Sequence, residues 1–307
     1  MNFGWEVETM NKLSVWLKAS RLPSQSYIFF PLLLGQAIAY FQTGLFSWRL
    51  FVLIHLFGLF IQLYIVYAND YADKDVDESN ETYNLFSGGS RVLVEGQIND
   101  KDMKFAIFLM IGLNLLLGGI LTFLFQRLLS LPLIIFSLLL LWAYSYWPFK
   151  LSYRGGGEFL QMIGVAGVLP VFAYYIQLGS LDVFPWFILL ILFPNHLACA
   201  LSTALPDQPS DKENNKRTIP VIFNLKLAKY LIVVLNFLSV IFLVIFNIVA
   251  FNISIIIFIF IVTINLLLLY FSQNSPPGSK RLFKFVALNI LSLNIFMIAL
   301  SVYFFTM

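Results

Sequence analysis

The chain has 307 residues, 60% of them hydrophobic and only 11% charged, with a formal net charge of +3. Average soluble domains carry roughly 25% charged residues, so a soluble fold of this length cannot hide so much apolar surface, and the solvent must be lipid. A single cysteine, Cys199, excludes an intramolecular disulfide and argues against a cysteine-based metal site.

No cleavable signal peptide is evident. The first twenty residues carry Glu6, Glu8, Lys12 and Lys18 and lack a continuous apolar core. Residues 1–23 read instead as an amphipathic segment on the membrane surface, clearest from Thr9 to Lys18. Nine apolar segments follow, each long enough to span a bilayer, at about 24–42, 48–69, 103–124, 128–147, 158–177, 183–205, 227–249, 251–271 and 284–305. The seventh and eighth form a tight hairpin near Asn247 to Asn252. The expected fold is therefore an all-α integral membrane protein of about nine transmembrane helices, one domain over residues 1–307.

Charge placement follows this segmentation. If the N-terminus shares a face with the connections after segments two, four, six and eight, that face carries 17 of the 19 Lys and Arg residues. Only Arg49 and Arg127 fall on the other side. The positive-inside rule makes the rich face, and with it the N-terminus, cytoplasmic. Fifteen of the sixteen acidic residues share that face, Asp182 excepted. Acids do not set topology, so their clustering needs another cause. Most lie in two long connections, about 70–102 and 206–226.

The first connection opens with Asn69-Asp70-Tyr71-Ala72-Asp73-Lys74-Asp75-Val76-Asp77 at the end of the second segment. On a continuing helix, Asn69, Asp73 and Asp77 repeat at i, i+4 and i+8, with Asp70 beside them. Between Asp70 and Glu81 stand six acids and one base, Lys74. Like charges at 4 Å repel by ~1 kcal/mol in water and several times more near a low-dielectric surface. Divalent cations relieve that repulsion. Oxygen-only ligands suit Mg²⁺, which binds through a few carboxylates plus substrate phosphates. The plain alternative, a solvated acidic loop, explains neither the abutting membrane helix nor the second acidic pair on the same face. That pair is Asp207 and Asp211, followed by Lys212, Lys216, Arg217 and Thr218. Its spacing is i, i+4, although Pro206 and Pro209 argue against a regular helix there. The basic cluster suits a phosphate-rich ligand.

These residues resemble the UbiA superfamily of intramembrane prenyltransferases. Asn69–Asp77 matches its N-D-x-x-D-x-x-x-D motif, and Asp207–Asp211 its D-x-x-x-D, with Lys216-Arg217-Thr218 following as is usual there. Tyr146-Trp147-Pro148-Phe149-Lys150 is similar to the family's Y-x-x-x-K. The resemblance covers nearly the whole chain. It implies transfer of a prenyl group from a polyprenyl diphosphate to an aromatic acceptor with Mg²⁺, two ions being expected. Metal-site residues would be Asn69, Asp70, Asp73, Asp77, Asp207 and Asp211, with Asp70 in close support. Arg21, Asn69, Arg91, Lys150, Lys216 and Arg217 would contact the diphosphate, and Tyr146 would face the allylic cation. Arg21 also reads as a residue snorkelling at the interface, Lys150 as a plain positive-inside residue and Tyr146 as part of the interfacial aromatic belt. His55, His196 and Cys199 fall in no motif and read as structural.

Ser87–Gly96, with its Gly88-Gly89 pair and Arg91, resembles the MenA-type branch, which prenylates 1,4-dihydroxy-2-naphthoate for menaquinone. So does Tyr146 to Glu158. Ser202-Thr203-Ala204-Leu205-Pro206-Asp207 departs from that branch, where Asn-Asn-x-Arg-Asp is common. Hydroxybenzoate, homogentisate or a lipid alcohol are the alternative acceptors. A cation-coupled transporter is the alternative from another class, although its acids would be expected near the midplane. Partners are the two substrates and the bilayer, with no nucleic acid. A bacterial cytoplasmic membrane is the expected location.

Overall fold

Apolar segments that must satisfy every backbone group without water become helices. The computed structural model describes residues 11–307, and the described chain is helical with no strands beyond one isolated bridge, Asn84 to Ser87. Glu6, Glu8 and Thr9 of the expected surface segment lie outside the described residues. The remainder of that segment is α1 (Lys12–Ala19). A 3₁₀ turn, Leu22–Ser24, leads into α2 (Gln25–Thr43). Then come α3 (Trp48–Ala72), the short α4 (Lys74–Ser79), α5 (Asp100–Phe123) and α6 (Ser130–Ser145). Next are α7 (Leu151–Arg154), α8 (Gly157–Met162) and α9 (Leu169–Leu178). A π-wound turn, Ile163–Val168, joins the last two into one rod. The chain closes with α10 (Ile188–Ala204), α11 (Gln208–Glu213), α12 (Ile219–Phe223), α13 (Leu225–Ile245), α14 (Phe251–Ser272) and α15 (Lys280–Thr306).

Each apolar segment read from the sequence is a helix, with ends displaced by a few residues. The displacements have local causes. The segment expected from 183 starts as a helix only at Ile188, because the chain around Pro185 forms turns first, such as Ile188 N–H to Pro185 O at 2.8 Å. The segments expected from 103 and 284 start earlier. Asn99 caps α5 by accepting from Asp102 N–H, and Ser279 caps α15 by accepting from Leu282 N–H. Among the described residues, six helical stretches are long and apolar enough to cross a membrane: α3, α5, the Gly157–Leu178 rod, α13, α14 and α15. α6 and α10 are apolar but shorter.

Packing divides the bundle into two main halves that share α2 and α9, with a third buried cluster around Leu205, Ile232, Leu268 and Phe285. One half buries Phe57, Met103, Leu121 and Phe172, and the other buries Ile191, Leu243, Phe296 and Leu300. α2 packs on both α9 and α15, and so stitches the halves together. α2 and α9 cross closely at Gly35, where an added Cβ would lie 2.2 Å from the carbonyl oxygen of Pro170. Backbone cannot yield as a side-chain tip can. Gly35→Leu is therefore expected to destabilise the protein by about 1–3 kcal/mol or more. Thermal unfolding in detergent measures this, and an unchanged midpoint would mean that the two helices do not meet so closely.

Candidate active site

The first acidic motif sits where α3 breaks. Asp73 has φ −101° and ψ 11° between α3 and α4. The hydrogen bonds nevertheless run on through the break, with Asp73 N–H to Asn69 O at 2.9 Å and Asp77 N–H to Asp73 O at 2.8 Å. The i, i+4, i+8 register survives, and Asn69, Asp73 and Asp77 line one cavity of about 980 Å³. Asp70 points elsewhere. One oxygen takes Arg21 in a short ion pair, and the other accepts from the Ser90 hydroxyl and the Ser90 N–H. Asp70 is thus committed to protein partners, and it binds Arg21 and the 80–99 loop to the end of α3.

The second motif is more regular than its prolines suggest. α10 stops at Ala204, and α11 begins afresh with Pro209 in its first turn, where a missing N–H costs nothing. Asp211 N–H donates to Asp207 O at 2.8 Å, so both carboxylates again share one helical turn. Both line the same cavity as the first motif.

Cross-links hold the two motifs together against their charge. Asn80 Nδ2 donates to Asp207 Oδ1 at 2.7 Å, and Gly88 N–H donates to Asp207 Oδ2 at 3.3 Å. Lys216 Nζ lies 2.9 Å from Asp73 Oδ2 and 3.8 Å from Asp211 Oδ1. The Tyr153 hydroxyl donates to Asp73 Oδ1 at 2.9 Å, and the Thr218 hydroxyl to Asp211 Oδ2 at 3.0 Å. The glycine pair serves the same clamp. Gly89 has φ +69°, and a Cβ there would lie 2.1 Å from Asp77 Oδ2. Only glycine lets the loop approach that carboxylate so closely.

Arg21, Arg91 and Lys216 also line the cavity. Arg91 donates to Asp77 O at 2.6 Å and lies over the Tyr83 ring, 4.3 Å from its centroid. Three other expected contacts do not reach the wall. Lys150 stands 3.7 Å over the Tyr153 ring, and Arg217 is exposed. The Tyr146 hydroxyl donates to Ala68 O at 2.8 Å, outside the cavity, whereas Tyr144 forms part of the wall. α6 ends at Ser145, and the extended backbone at Tyr146 turns its side chain away. Sequence reasoning gave no role to Tyr144, Tyr153, Ser90, Asn80 or Glu158. Tyr153 and Glu158 fall in the Tyr146–Glu158 stretch singled out by resemblance, which was the available signal. The remaining cavity wall is apolar, with Ile61, Ile65, Leu140, Leu141, Gly164 and Val165. Gly164 and Val165 come from the π-wound turn, a distortion that recurs at functional sites.

Burial pushes the carboxyl of Asp77 up to about 8, with Arg21 opposing and the neighbouring acids adding. Burial likewise pushes Asp211 up to about 7 against the pull of Lys216, and it raises Asp207. For Lys216, burial disfavours the charge, but Asp73 and Asp211 outweigh it and hold the ammonium well above the usual lysine range. The donor set fits a hard divalent cation: carboxylate and amide oxygens, with no sulfur and no imidazole. Among the described residues, no three acidic, histidine or cysteine side chains close round one point. Mg²⁺ takes one or two carboxylates and completes its shell with water and phosphate.

A model of the UbiA prenyltransferase family matches residues 28–298, and the chain belongs to that family. It is therefore a prenyltransferase, and the transporter alternative falls away. No curated protein matches the chain. A solved UbiA homolog from Archaeoglobus fulgidus bound to GPP and Mg²⁺ is 17% identical, with a TM-score of 0.72 over 95% of this chain and 100% of its own. The digeranylgeranylglyceryl phosphate synthase structure is 18% identical, with a TM-score of 0.62 over 97% of this chain and 100% of its own. An apo UbiA homolog from Aeropyrum pernix K1 is 15% identical, with a TM-score of 0.62 over 88% and 96%. At these identities the solved structures establish a shared fold.

The raised carboxyls carry a pH signature. Each binds its proton more tightly in the fold than in the unfolded chain, so the stabilisation that proton lends is present at low pH. It is lost progressively as pH climbs from the ordinary carboxyl value of 3.8 up through about 7 and 8. In EDTA, thermal stability is expected to fall between about pH 4 and pH 8, and Mg²⁺ should restore it at the upper end but not the lower. A thermal unfolding series over pH, with and without Mg²⁺, checks this.

Proposed function

We propose that this chain, as a UbiA-family prenyltransferase, moves a polyprenyl group from its diphosphate to 1,4-dihydroxy-2-naphthoate in menaquinone biosynthesis. The observation that carries the diphosphate half is the convergence of both acidic motifs with Arg21, Arg91 and Lys216 on one cavity that continues between apolar helices. The homolog from Archaeoglobus fulgidus bound to GPP and Mg²⁺ supports the same donor class. The MenA-like features of Ser87–Gly96 and Tyr146–Glu158 support the naphthoate. A lipid alcohol is the second reading, favoured by the fold shared with digeranylgeranylglyceryl phosphate synthase.

In this reading Asn69, Asp73 and Asp77 would hold one Mg²⁺, and Asp207 and Asp211 a second. Bound Mg²⁺ supplies charge neutralisation for the departing diphosphate. Arg21, Arg91 and Lys216 orient the diphosphate oxygens from the cavity wall, and Asp70 holds Arg21 in place. The apolar walls at Ile61, Ile65, Leu140 and Leu141 hold the prenyl chain and exclude water from the allylic carbon. The ring of Tyr144 lines the cavity and faces the developing cation, a role that Tyr146 cannot reach from its position against Ala68. The acceptor ring attacks that carbon as its C–O bond to the diphosphate breaks, and the attacked ring carbon then sheds its proton, or its carboxyl group as CO₂, to restore aromaticity.

Orientation follows from charge. With nine spans and a cytoplasmic N-terminus the site would face the cytoplasm, a reading supported by 17 Lys and Arg against two. A bacterial cytoplasmic membrane is the proposed location.

The test uses purified protein in lipid nanodiscs with Mg²⁺, prenyl diphosphates of several lengths and an acceptor panel of naphthoate, benzoate, homogentisate and lipid alcohol. Mass spectrometry should find prenylated naphthoate. Release of no diphosphate and formation of no product across the panel would refute the reading. Asp73→Ala and Asp207→Ala should each lower turnover by about 10²-fold or more while the protein still elutes as folded. Full activity in either variant would sink the two-motif assignment.

A further inference from the structure

Lys216 occupies an unusual position for a lysine. It is buried, at 8% exposure, between the two acidic motifs rather than at the cavity mouth. Its ammonium makes a hydrogen-bonded ion pair with Asp73 Oδ2 at 2.9 Å and reaches towards Asp211 Oδ1 at 3.8 Å. The other Asp73 oxygen already accepts from Tyr153 at 2.9 Å. Both oxygens of Asp73 are thus engaged, one by a full positive charge. A divalent cation on Asp73 would sit about 2.0–2.1 Å from an oxygen, in the space the ammonium holds. Two cations on one carboxylate repel each other, so Lys216 in place opposes entry of the metal.

The backbone around Lys216 is pinned. Lys216 N–H donates to Asp211 O at 2.7 Å, and Arg217 N–H to Tyr153 O at 3.1 Å. Ile219 N–H donates to Glu158 Oε1 at 2.7 Å, which fastens the strap to α8. Only the four-carbon side chain is free to swing, and a lysine stem suits that motion. A buried ammonium that leaves two carboxylates needs a new anionic partner, because an unpaired buried charge is strongly disfavoured. The cavity supplies no free one: Glu95 is paired with Lys18 at 2.5 Å, Glu158 accepts from Ile219 N–H, and the remaining acids belong to the metal-binding set. A diphosphate supplies one.

We propose that Lys216 is an internal counter-cation that blocks the metal position on Asp73 until a diphosphate takes over its charge, so that divalent cation and diphosphate bind with strong positive coupling. The proposal rests on the two-motif reading above and adds an order to it. Metal alone binds weakly because Lys216 is in place. Diphosphate alone binds weakly because Asp73, Asp77, Asp207 and Asp211 face it. By linkage each ligand strengthens the other by the same factor.

Mn²⁺ serves as the probe, read by electron paramagnetic resonance on the full chain in detergent, with inorganic pyrophosphate as the second ligand and free Mn²⁺ corrected for its pyrophosphate complex. Wild-type protein should bind Mn²⁺ at least about tenfold more tightly with pyrophosphate than without it. Lys216→Met should bind Mn²⁺ alone about tenfold more tightly than wild type and should lose most of the coupling. Lys216→Arg, which keeps the charge, should resemble wild type. Equal or weaker Mn²⁺ affinity in a folded Lys216→Met overturns the proposal. So does wild-type affinity that is indifferent to pyrophosphate, a result that needs no variant and leaves the prenyltransferase reading intact. Wild type that binds no Mn²⁺ even with pyrophosphate would remove the metal site and both readings with it.

Discussion

Mutual repulsion among Asp70, Asp73, Asp77, Asp207 and Asp211 is the constraint around which this end of the molecule is organised. Held close to a low-dielectric bundle, such charges push apart by several kcal/mol in sum unless something intervenes. Two buried or half-buried cations, Arg21 and Lys216, each take an acid from the first motif, and Lys216 also approaches Asp211 of the second. Neutral donors take much of the remainder, with Asn80 and Gly88 on Asp207 and Thr218 on Asp211. The 80–99 loop exists largely to deliver these donors, and Gly89 lets it come close enough.

Transmembrane helices and the acidic register were legible in the sequence because both depend on local periodicity. Hydropathy reports a helix long enough to cross lipid whatever it packs against. The spacing of Asn69, Asp73 and Asp77 survives even the break at Asp73, because the i to i+4 hydrogen bonds continue through it. What could not be read was direction at the helix ends. Tyr144 and Tyr146 are two residues apart, and only the end of α6 between them decides which ring enters the cavity. Resemblance puts Asp70 among the metal-site residues, in close support of the others. Its partners, Arg21 and Ser90, lie 49 and 20 residues away, and no local pattern announces them.

The same distinction separates scaffold from chemistry. α2, wedged between α9 and α15, fixes the halves of the bundle through a backbone contact at Gly35, which leaves no room for adjustment. The site is assembled from loops and short helices laid across that rigid base. Its parts are joined by side-chain hydrogen bonds, which can be exchanged for bonds to a ligand one at a time.

The π-wound turn between α8 and α9 has a consequence for how such a cavity could change. A π turn holds one residue more than the α turn it replaces, while the helix on either side stays in phase. Deleting a single residue within Ile163–Val168 would return the rod to plain α-helix. Pro170 would stay seated against Gly35, and Glu158 would keep its hold on Ile219. Only the bulge carrying Gly164 and Val165 would be lost. Length variation at this one turn can therefore remodel the apolar wall, and with it the shape of prenyl chain accepted, without disturbing the helix crossings or the acidic end.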